Sequence, residues 1–206
     1  MRFTKGLVLV AFCLFTVDPA MFAQGGGSER WVGTWSTSEV GRPQTPPPPA
    51  PVLLPSGPNL CPPAVPAPST FMHFKDQTLR QVVHTSIGGS NLRVVLSNTY
   101  GTAPLTIGAA HIALRDNDSS IRTASGHPLT FSGRSTMTIP ANAVVYSDPV
   151  NMTVPQMADL AIDLYLPGNT DTPAPLTMHD AAFQTNYVSQ TGNYVGKEKL
   201  PVLSIS

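Results

Sequence analysis

The segment Asp159–Leu166 reads Asp-Leu-Ala-Ile-Asp-Leu-Tyr-Leu, and this stretch decides the fold class. Its large aliphatic side chains occupy every second position, at Leu160, Ile162, Leu164 and Leu166. Successive side chains of a β-strand point to opposite faces, so a period of two predicts a strand with one apolar face. The other face carries Asp159 and Asp163, which we expect to lie in solvent.

The same period of two recurs along the chain from Phe71 onward. It predicts further strands at Gln77–Thr85, Leu92–Ser97, Leu105–Leu114, Leu129–Phe131, Ser135–Ile139, Val144–Tyr146, Val150–Val154 and Phe183–Val188. Turn residues separate these segments, and no helical window of about ten residues appears among them. Short strands with regularly spaced turns are typical of an antiparallel β-sandwich or jelly roll, so we predict an all-β fold.

Two further features concern the first strands. Trp31–Thr37 alternates large and small residues, which predicts a first strand. Gln77–Thr85 and Leu92–Ser97 are expected to form a hairpin closed by Ser86–Ser90. In that turn Gly88 and Gly89 would supply positive φ angles.

The N-terminal residues 1–23 have the pattern of a secretory signal peptide. Arg2 and Lys5 precede the apolar run Gly6–Val17, and Ala23 offers a cleavage point. The run is about twelve residues long, whereas a membrane-spanning helix needs roughly 20. We therefore expect a secreted or periplasmic protein.

A proline-rich segment, residues 43–68, holds twelve of the 22 prolines. Proline lacks an N–H group and has a fixed φ, so the segment is predicted to be an extended loop or linker inserted into the domain. The expected organisation is a first strand region at 24–42, this loop at 43–68, a β-sandwich domain at 69–196 and a truncated C-terminal tail at 197–206.

Charge and cysteine content exclude several classes of function. Twelve Lys and Arg balance twelve Asp and Glu, and no basic cluster follows Lys5, which argues against a nucleic-acid partner. Beyond the signal, no long apolar stretch or basic amphipathic helix predicts membrane binding. Cys13 lies in the signal, so Cys61 alone provides neither a disulfide within the mature chain nor a cysteine metal site. Its proline-rich neighbours predict an exposed, non-catalytic thiol.

The sequence offers no complete set of residues for nucleophilic catalysis. The pattern Gly-x-Ser-x-Gly is absent, and Ser90, which follows Gly88-Gly89, falls in the expected hairpin turn. The histidines show no metal-binding spacing and are predicted to be hydrogen-bonded structural residues; they are His73, His84, His111, His127 and His179. We therefore predict no catalytic, cofactor-binding or metal-binding residue, and no cofactor.

Three other patterns also favour structural roles. Asp159 and Asp163 would lie about 13 Å apart along a strand, which is wide for a glycosidase pair. The glycines 25–27 precede no helix, so they do not form a phosphate-binding loop. Trp31 and Trp35 lie four residues apart on a predicted strand, which places them together in the core; stacking on a sugar ring is the alternative.

Several stretches together resemble the N-terminal β-rich region of secreted bacterial SGNH/GDSL-type hydrolases. They are Trp31–Trp35, Gln77–Ser86, Leu92–Asn98, Gly101–His111, Asp159–Ala161 and Gln184–Val188. The resemblance covers residues 31–196 apart from the proline-rich insertion, and the order and spacing of the stretches make it fairly specific.

The resemblance implies an esterase- or lipase-like hydrolase in which this region precedes an α/β catalytic domain. The family's Gly-Asp-Ser and Asp-x-x-His blocks are absent here, so no catalytic residue is carried over. We expect a truncated or frame-disrupted family member that acts as an accessory β-domain, with an SGNH catalytic domain or an extracellular ester or glycan substrate as its partner. The alternatives are a free-standing carbohydrate- or surface-binding module and an independent enzyme with an unfamiliar site.

Overall fold

The computed structural model describes residues 30–42, 73–172, 174–179 and 184–205. The predicted signal peptide, the glycines 25–27, Cys61 and the proline-rich segment 43–68 lie outside the described residues. The chain divides into two units, Met1–Val32 and Gly33–Ser206. In the first unit, residues 30–32 are exposed and belong to no strand. The fold described below is that of the second unit.

The described part of the second unit consists almost entirely of β-strands. They are β1 Glu39–Arg42, β2 Lys75–His84, β3 Gly89–Leu92, β4 Val95–Ser97, β5 Leu105–Ile107, β6 Ala109–Leu114, β7 His127–Pro128, β8 Met137–Ile139, β9 Val144–Tyr146, β10 Val150–Val154, β11 Asp159–Asn169, β12 Leu176–His179, β13 Tyr187–Thr191 and β14 Val202–Ile205. A single 3-10 turn, Thr123–Ser125, is the one helical element among these residues. The predicted all-β class is confirmed.

Six strands form the main sheet, in the order β14-β13-β2-β11-β6-β7. Every pairing within it is antiparallel. β11 lies in the interior, where Asp163 is opposite Arg80 of β2 on one side and His111 of β6 on the other. No described helix is long and apolar enough to cross a membrane.

Three two-stranded pairs, β10–β3, β4–β9 and β5–β8, form the layer that faces the main sheet. A single apolar core joins the two layers. Its buried members include Val83, Ile112, Leu160, Leu164 and Leu166 from the main sheet and Val94, Leu96, Ile107, Ile139, Val150 and Met152 from the facing layer. The alternation of β10, buried at Val150, Met152 and Val154, is the pattern of a sandwich strand. The architecture is therefore a β-sandwich.

The outer face of the main sheet is also covered. One cluster packs Val82 and Tyr187 against Leu200, and another packs Ala113 and Ala161 against Ile121. Asp163 lies on this face and is only 1 % exposed, so the prediction that it lies in solvent is wrong. Alternation shows which residues share a face, but it does not show that a later segment will cover that face.

The predicted hairpin between Gln77–Thr85 and Leu92–Ser97 is wrong. β2 pairs with β11 and β13, whereas β3 pairs with β10 and β4 with β9. The segment after β2 therefore crosses from one layer to the other. Gly88 has no positive φ; a Cβ there would lie 2.5 Å from the carbonyl oxygen of Val154. Close backbone approach, and not turn geometry, requires this glycine.

Other predicted strands are shifted or divided. β9 and β10 have the predicted bounds, whereas Leu105–Leu114 is interrupted at Gly108, whose N–H donates to the carbonyl of Tyr165. Trp31–Thr37 is not a strand, and β1 begins only at Glu39. The strands predicted at Leu129–Phe131 and Phe183–Val188 are found at His127–Pro128 and Tyr187–Thr191. β14, within the predicted tail, joins the main sheet through β13.

Candidate functional site

The most deeply buried charges of the described chain are Arg80 and Asp163. Their side chains are 0 % and 1 % exposed, and they form a two-pronged ion pair. Arg80 Nε lies 2.6 Å from Asp163 Oδ1, and Arg80 Nη2 lies 2.8 Å from Oδ2. This fork geometry matches a guanidinium to a carboxylate through two charge-assisted hydrogen bonds.

The remaining donors of Arg80 bind backbone carbonyls from two distant segments. Its Nη2 donates to Lys197 at 2.7 Å, and its Nη1 donates to Glu198 and Ser119. The N–H of Gly196, a residue with φ of +73°, donates to Asp163 Oδ2 at 2.9 Å. These contacts join the ion pair to the two segments that cover the outer face of the sheet, one at Ser119 and the other at residues 196–198. Because every polar contact is made within the fold, the ion pair anchors these covering segments and leaves no group free for a substrate.

His111 adjoins this ion pair but is not joined to it by a hydrogen bond. It lies opposite Asp163 in the β6–β11 pairing, and its Nδ1 is one of two buried side-chain nitrogens without a partner among the described residues. Burial lowers the pKa of His111, and the Asp163 carboxylate partly opposes that effect. A neutral buried imidazole is therefore expected here.

A second charged cluster lies on the same face of β11, at the strand's beginning. His84 Nδ1 is 2.7 Å from Asp159 Oδ1, and Arg115 Nη1 is 3.1 Å from Oδ2. The hydrogen bond with His84, reinforced by Arg115, lowers the pKa of Asp159 against the opposing effect of burial. All three side chains are partly exposed. A carboxylate that orients a histidine is one half of a general-base system.

The nucleophile that would complete such a system is not present in the described geometry. Ser90 lies exposed in β3, and no hydrogen bond connects it to His84. Across the described ranges, no serine or threonine hydroxyl is hydrogen-bonded to a histidine ring. His84 and Asp159 thus form a hydrogen-bonded pair of the sheet rather than a recognisable catalytic dyad.

The histidines do not form a metal centre in the part of the chain that the structure describes. No group of three or more His, Cys, Asp or Glu side chains converges there. The prediction of hydrogen-bonded histidines holds for His84, and His73 lies 3.6 Å from Asp171. It is wrong for Nδ1 of His111 and of His179, which is buried and has no hydrogen-bond partner among the described residues.

A cavity of about 580 Å³ lies between the two layers. Aliphatic side chains from both layers form its walls, among them Leu79, Val83, Ile162 and Leu164 from the main sheet and Leu96 and Ile107 from the facing layer. Its volume falls within the range of small-molecule sites. This cavity could not be predicted from the sequence, because alternation marks these residues as core without revealing how completely the core is filled.

Polar residues also line this cavity, and most of them come from β1, β12 and residues 184–186. Trp35 and His179 meet there in a T-shaped contact, with ring centroids 5.8 Å apart and an interplanar angle of 74°. Glu39, which is opposite His179 in the β1–β12 pairing, accepts a hydrogen bond from Ser97 at 2.8 Å. Trp35 is 37 % exposed, so its predicted place in the core is wrong.

Comparison with known proteins does not supply a function. No protein-family model matches the chain, and no curated protein matches it.

Proposed function

We propose that this chain is the accessory β-domain of a secreted SGNH/GDSL-type ester hydrolase and does not hydrolyse esters by itself. The observation that supports this most is the position of the stretches on which the resemblance depends. All four interior strands of the main sheet contain part of such a stretch: β2, β6, β11 and β13. The resemblance thus concerns the residues that build the scaffold, and not peripheral loops.

The described chemistry supports a non-catalytic role. Ester hydrolysis needs an activated nucleophile, an oriented base and preorganised donors for the oxyanion. The His84–Asp159 pair provides an oriented imidazole, but its Nδ1 partner is the carboxylate and no hydroxyl lies within hydrogen-bonding distance in the described part of the chain. A rigid sandwich of this kind is suited to flank a catalytic cleft and restrict access to it.

The existence of a parent enzyme is tested by sequencing the DNA next to the coding region. The DNA that adjoins the coding region should be read in all frames for a Gly-Asp-Ser block followed by an Asp-x-x-His block. Finding both blocks on the 3′ side, in any frame, supports the proposal. An adjoining region that encodes neither block, in several independent isolates, overturns it.

A free-standing surface- or glycan-binding module is the second candidate. The exposure of Trp35 favours it, because an accessible indole offers a flat face to a sugar ring. Binding of soluble polysaccharides in affinity electrophoresis, abolished by Trp35→Ala and retained by Tyr146→Ala at another exposed aromatic residue, would favour this function over the first.

A further inference from the structure

We propose that protonation of His111 in mildly acidic surroundings releases residues 196–198 from the outer face of the main sheet. The imidazole ring that acts as the switch is enclosed between the sheet and its covering segments, beside the ion pair that holds those segments in place. The switch is a property of the domain itself and does not depend on the accessory function proposed above.

Backbone from both covering segments encloses the ring of His111. A Cβ at Gly126, which ends the segment between β6 and β7, would lie 2.7 Å from Cε1 and Nε2 of the ring. A Cβ at Gly196, in the segment that follows β13, would lie 3.3 Å from Nε2. Glycine at both positions therefore brings the two backbones against the imidazole, so the ring cannot be hydrated while both segments stay in place.

The enclosed ring has no hydrogen-bond acceptor for a second proton. Nδ1 of His111 is buried and has no partner among the described residues. A neutral imidazole can leave Nδ1 unprotonated, whereas an imidazolium carries an N–H on both ring nitrogens. Protonation would therefore create a buried cationic donor without an acceptor, which is strongly unfavourable. Burial accordingly lowers the pKa of His111, so the closed arrangement disfavours the charged ring.

The ion pair beside the ring connects this proton to the covering segment. The carboxylate of Asp163 on β11 favours protonation of His111, whereas Arg80 on β2 and His127 on β7 oppose it. Both oxygens of Asp163 are already occupied, Oδ1 by Arg80 and Oδ2 by Arg80 and the N–H of Gly196. An imidazolium therefore gains an acceptor only by displacing the N–H of Gly196 or by contact with water, and both require residues 196–198 to move away.

The other charged groups of the covering segments have less influence on the ring. Arg115 is bound to Asp159. The remaining side chains are exposed, so water and salt screen their charges; they are Asp116, Asp118, Arg122, Lys197, Glu198 and Lys199.

Residues 196–198 are the part that is released, because their described hydrogen bonds to the sheet all involve the ion pair. Gly196 donates to Asp163, and the carbonyls of Lys197 and Glu198 accept from Arg80. The segment between β6 and β7 has additional bonds to β6, since Arg122 N–H donates to the carbonyl of Leu114 and Leu114 N–H donates to Ser125 Oγ.

The direction of the pH effect follows from the two states of the ring. In the open state His111 is hydrated and has the ordinary pKa of about 6.5, whereas its pKa in the closed state is lower. A fall in pH below about 6.5 therefore favours the open state, by up to about tenfold for each pH unit, until the closed-state pKa is passed. At neutral pH and above, the outer face stays covered.

The test is amide hydrogen exchange of the purified full chain, followed by NMR between about pH 7.5 and 5.5 and corrected for the intrinsic exchange rate. The N–H of Gly196, bonded to Asp163, and the N–H of Ile121, bonded to the carbonyl of Glu198, report directly on the covering segment. Their protection should fall by up to about tenfold per pH unit below about 6.5. The N–H of Asn98, bonded to Ala143 in the facing layer, should keep its protection.

Two variants assign the effect to one ring. His111→Leu removes the titrating nitrogens and keeps a side chain of similar size, so the protection of the Gly196 N–H should no longer depend on pH in this range. His127→Leu, which removes the neighbouring imidazole, is the matched control and should retain the dependence. If His111→Leu fails to fold, the ring protons of His111 in the parent chain provide a second measurement, because they should titrate with a pKa below about 6.5.

The proposal would be overturned by protection of Gly196 that does not change with pH, or by a change that persists in His111→Leu. A loss shared by the N–H of Asn98, or a His111 ring that titrates at or above about 6.5, would overturn it as well. None of these results bears on ester turnover or on the adjoining DNA, so the switch and the accessory function succeed or fail separately.

Discussion

The guanidinium of Arg80 is completely buried, and its charge is balanced by Asp163 in the neighbouring strand. An unpaired charge in such a place is very unfavourable, whereas a paired and fully hydrogen-bonded charge is tolerated. Each strand contributes one half of the pair, and Arg80 adds hydrogen bonds to Lys197 and Glu198. At the scale of single residues, this pair determines how the covering segments are fixed to the sheet.

Asp163→Asn should lower the free energy of unfolding by about 3–5 kcal/mol, because it leaves the Arg80 charge buried without its counter-charge. Asp118→Asn is the matched control: Asp118 is exposed and has a φ of +42°, which asparagine accepts, so the change should stay within about 0.5 kcal/mol. Urea denaturation measures both. Equal midpoints for the two variants would contradict the role assigned to the pair.

Asp159 gives the fold an acid-sensitive contribution. Its folded-state pKa is lowered, chiefly by the hydrogen bond with His84. The resulting stabilisation is therefore present above the unfolded pKa of about 4 and is lost as the pH falls through the lower folded value. Asp159→Asn should reduce stability at neutral pH and flatten its decline between neutral and acid pH. Urea denaturation at a series of pH values tests this, and a slope identical to that of the parent chain would refute it.

At the scale of elements, sequence periodicity predicted strands better than it predicted their partners. The bounds of β9 and β10 were correct, because both carry a local signal of alternation between turns. The proposed hairpin failed because strand pairing is decided by contacts far apart in sequence: β2 lies against β11 and β13. Two glycines in a short linker indicated a turn, whereas Gly88 serves a crossing between layers.

Gly88→Ala tests that crossing. The added methyl group would meet the carbonyl oxygen of Val154 at 2.5 Å, so the backbone must shift. Overpacking of this kind costs about 1–3 kcal/mol. Gly89→Ala, where the nearest atom lies at 3.8 Å, should be close to neutral. Thermal or chemical denaturation compares the stabilities of the Gly88→Ala and Gly89→Ala variants. Similar stabilities would mean that the segment between β2 and β3 has room for a side chain.

At the scale of the whole molecule, composition and periodicity were enough to predict an all-β sandwich. They did not predict the covering of the outer face or the inter-layer cavity. Both depend on residues brought together from distant parts of the chain, as when Leu200 packs on Val82 and Tyr187. The buried Nδ1 of His179 belongs to the same class, since only its three-dimensional surroundings show that it has no hydrogen-bond partner in the described part of the chain.

Ester turnover by the whole chain is expected to be absent. The purified protein should hydrolyse p-nitrophenyl butyrate at the rate of buffer alone, because no hydroxyl is paired with the oriented His84 in the described part of the chain. Ser90→Ala and His84→Ala are assayed beside it. Turnover above buffer that either substitution removes would make those residues an active site and reject the non-catalytic function.

Export is the remaining expectation for the whole chain. Secreted material should lack about the first 23 residues, because a charged start, a short apolar run and a small residue at the end have the pattern of a cleavable signal. N-terminal sequencing provides the measurement. A secreted product that begins at Met1 would exclude cleavage.

The position of β2 in the middle of the main sheet has a consequence for how the protein folds. β2 ends at His84, but its two neighbours are Asp159–Asn169 and Tyr187–Thr191, which leave the ribosome much later. Until then, both edges of β2 stay open and prone to non-native pairing. Folding dominated by such distant contacts proceeds on a scale of milliseconds to seconds. The nascent chain is therefore at the greatest risk of aggregation in the interval between the synthesis of β2 and that of β11 and β13.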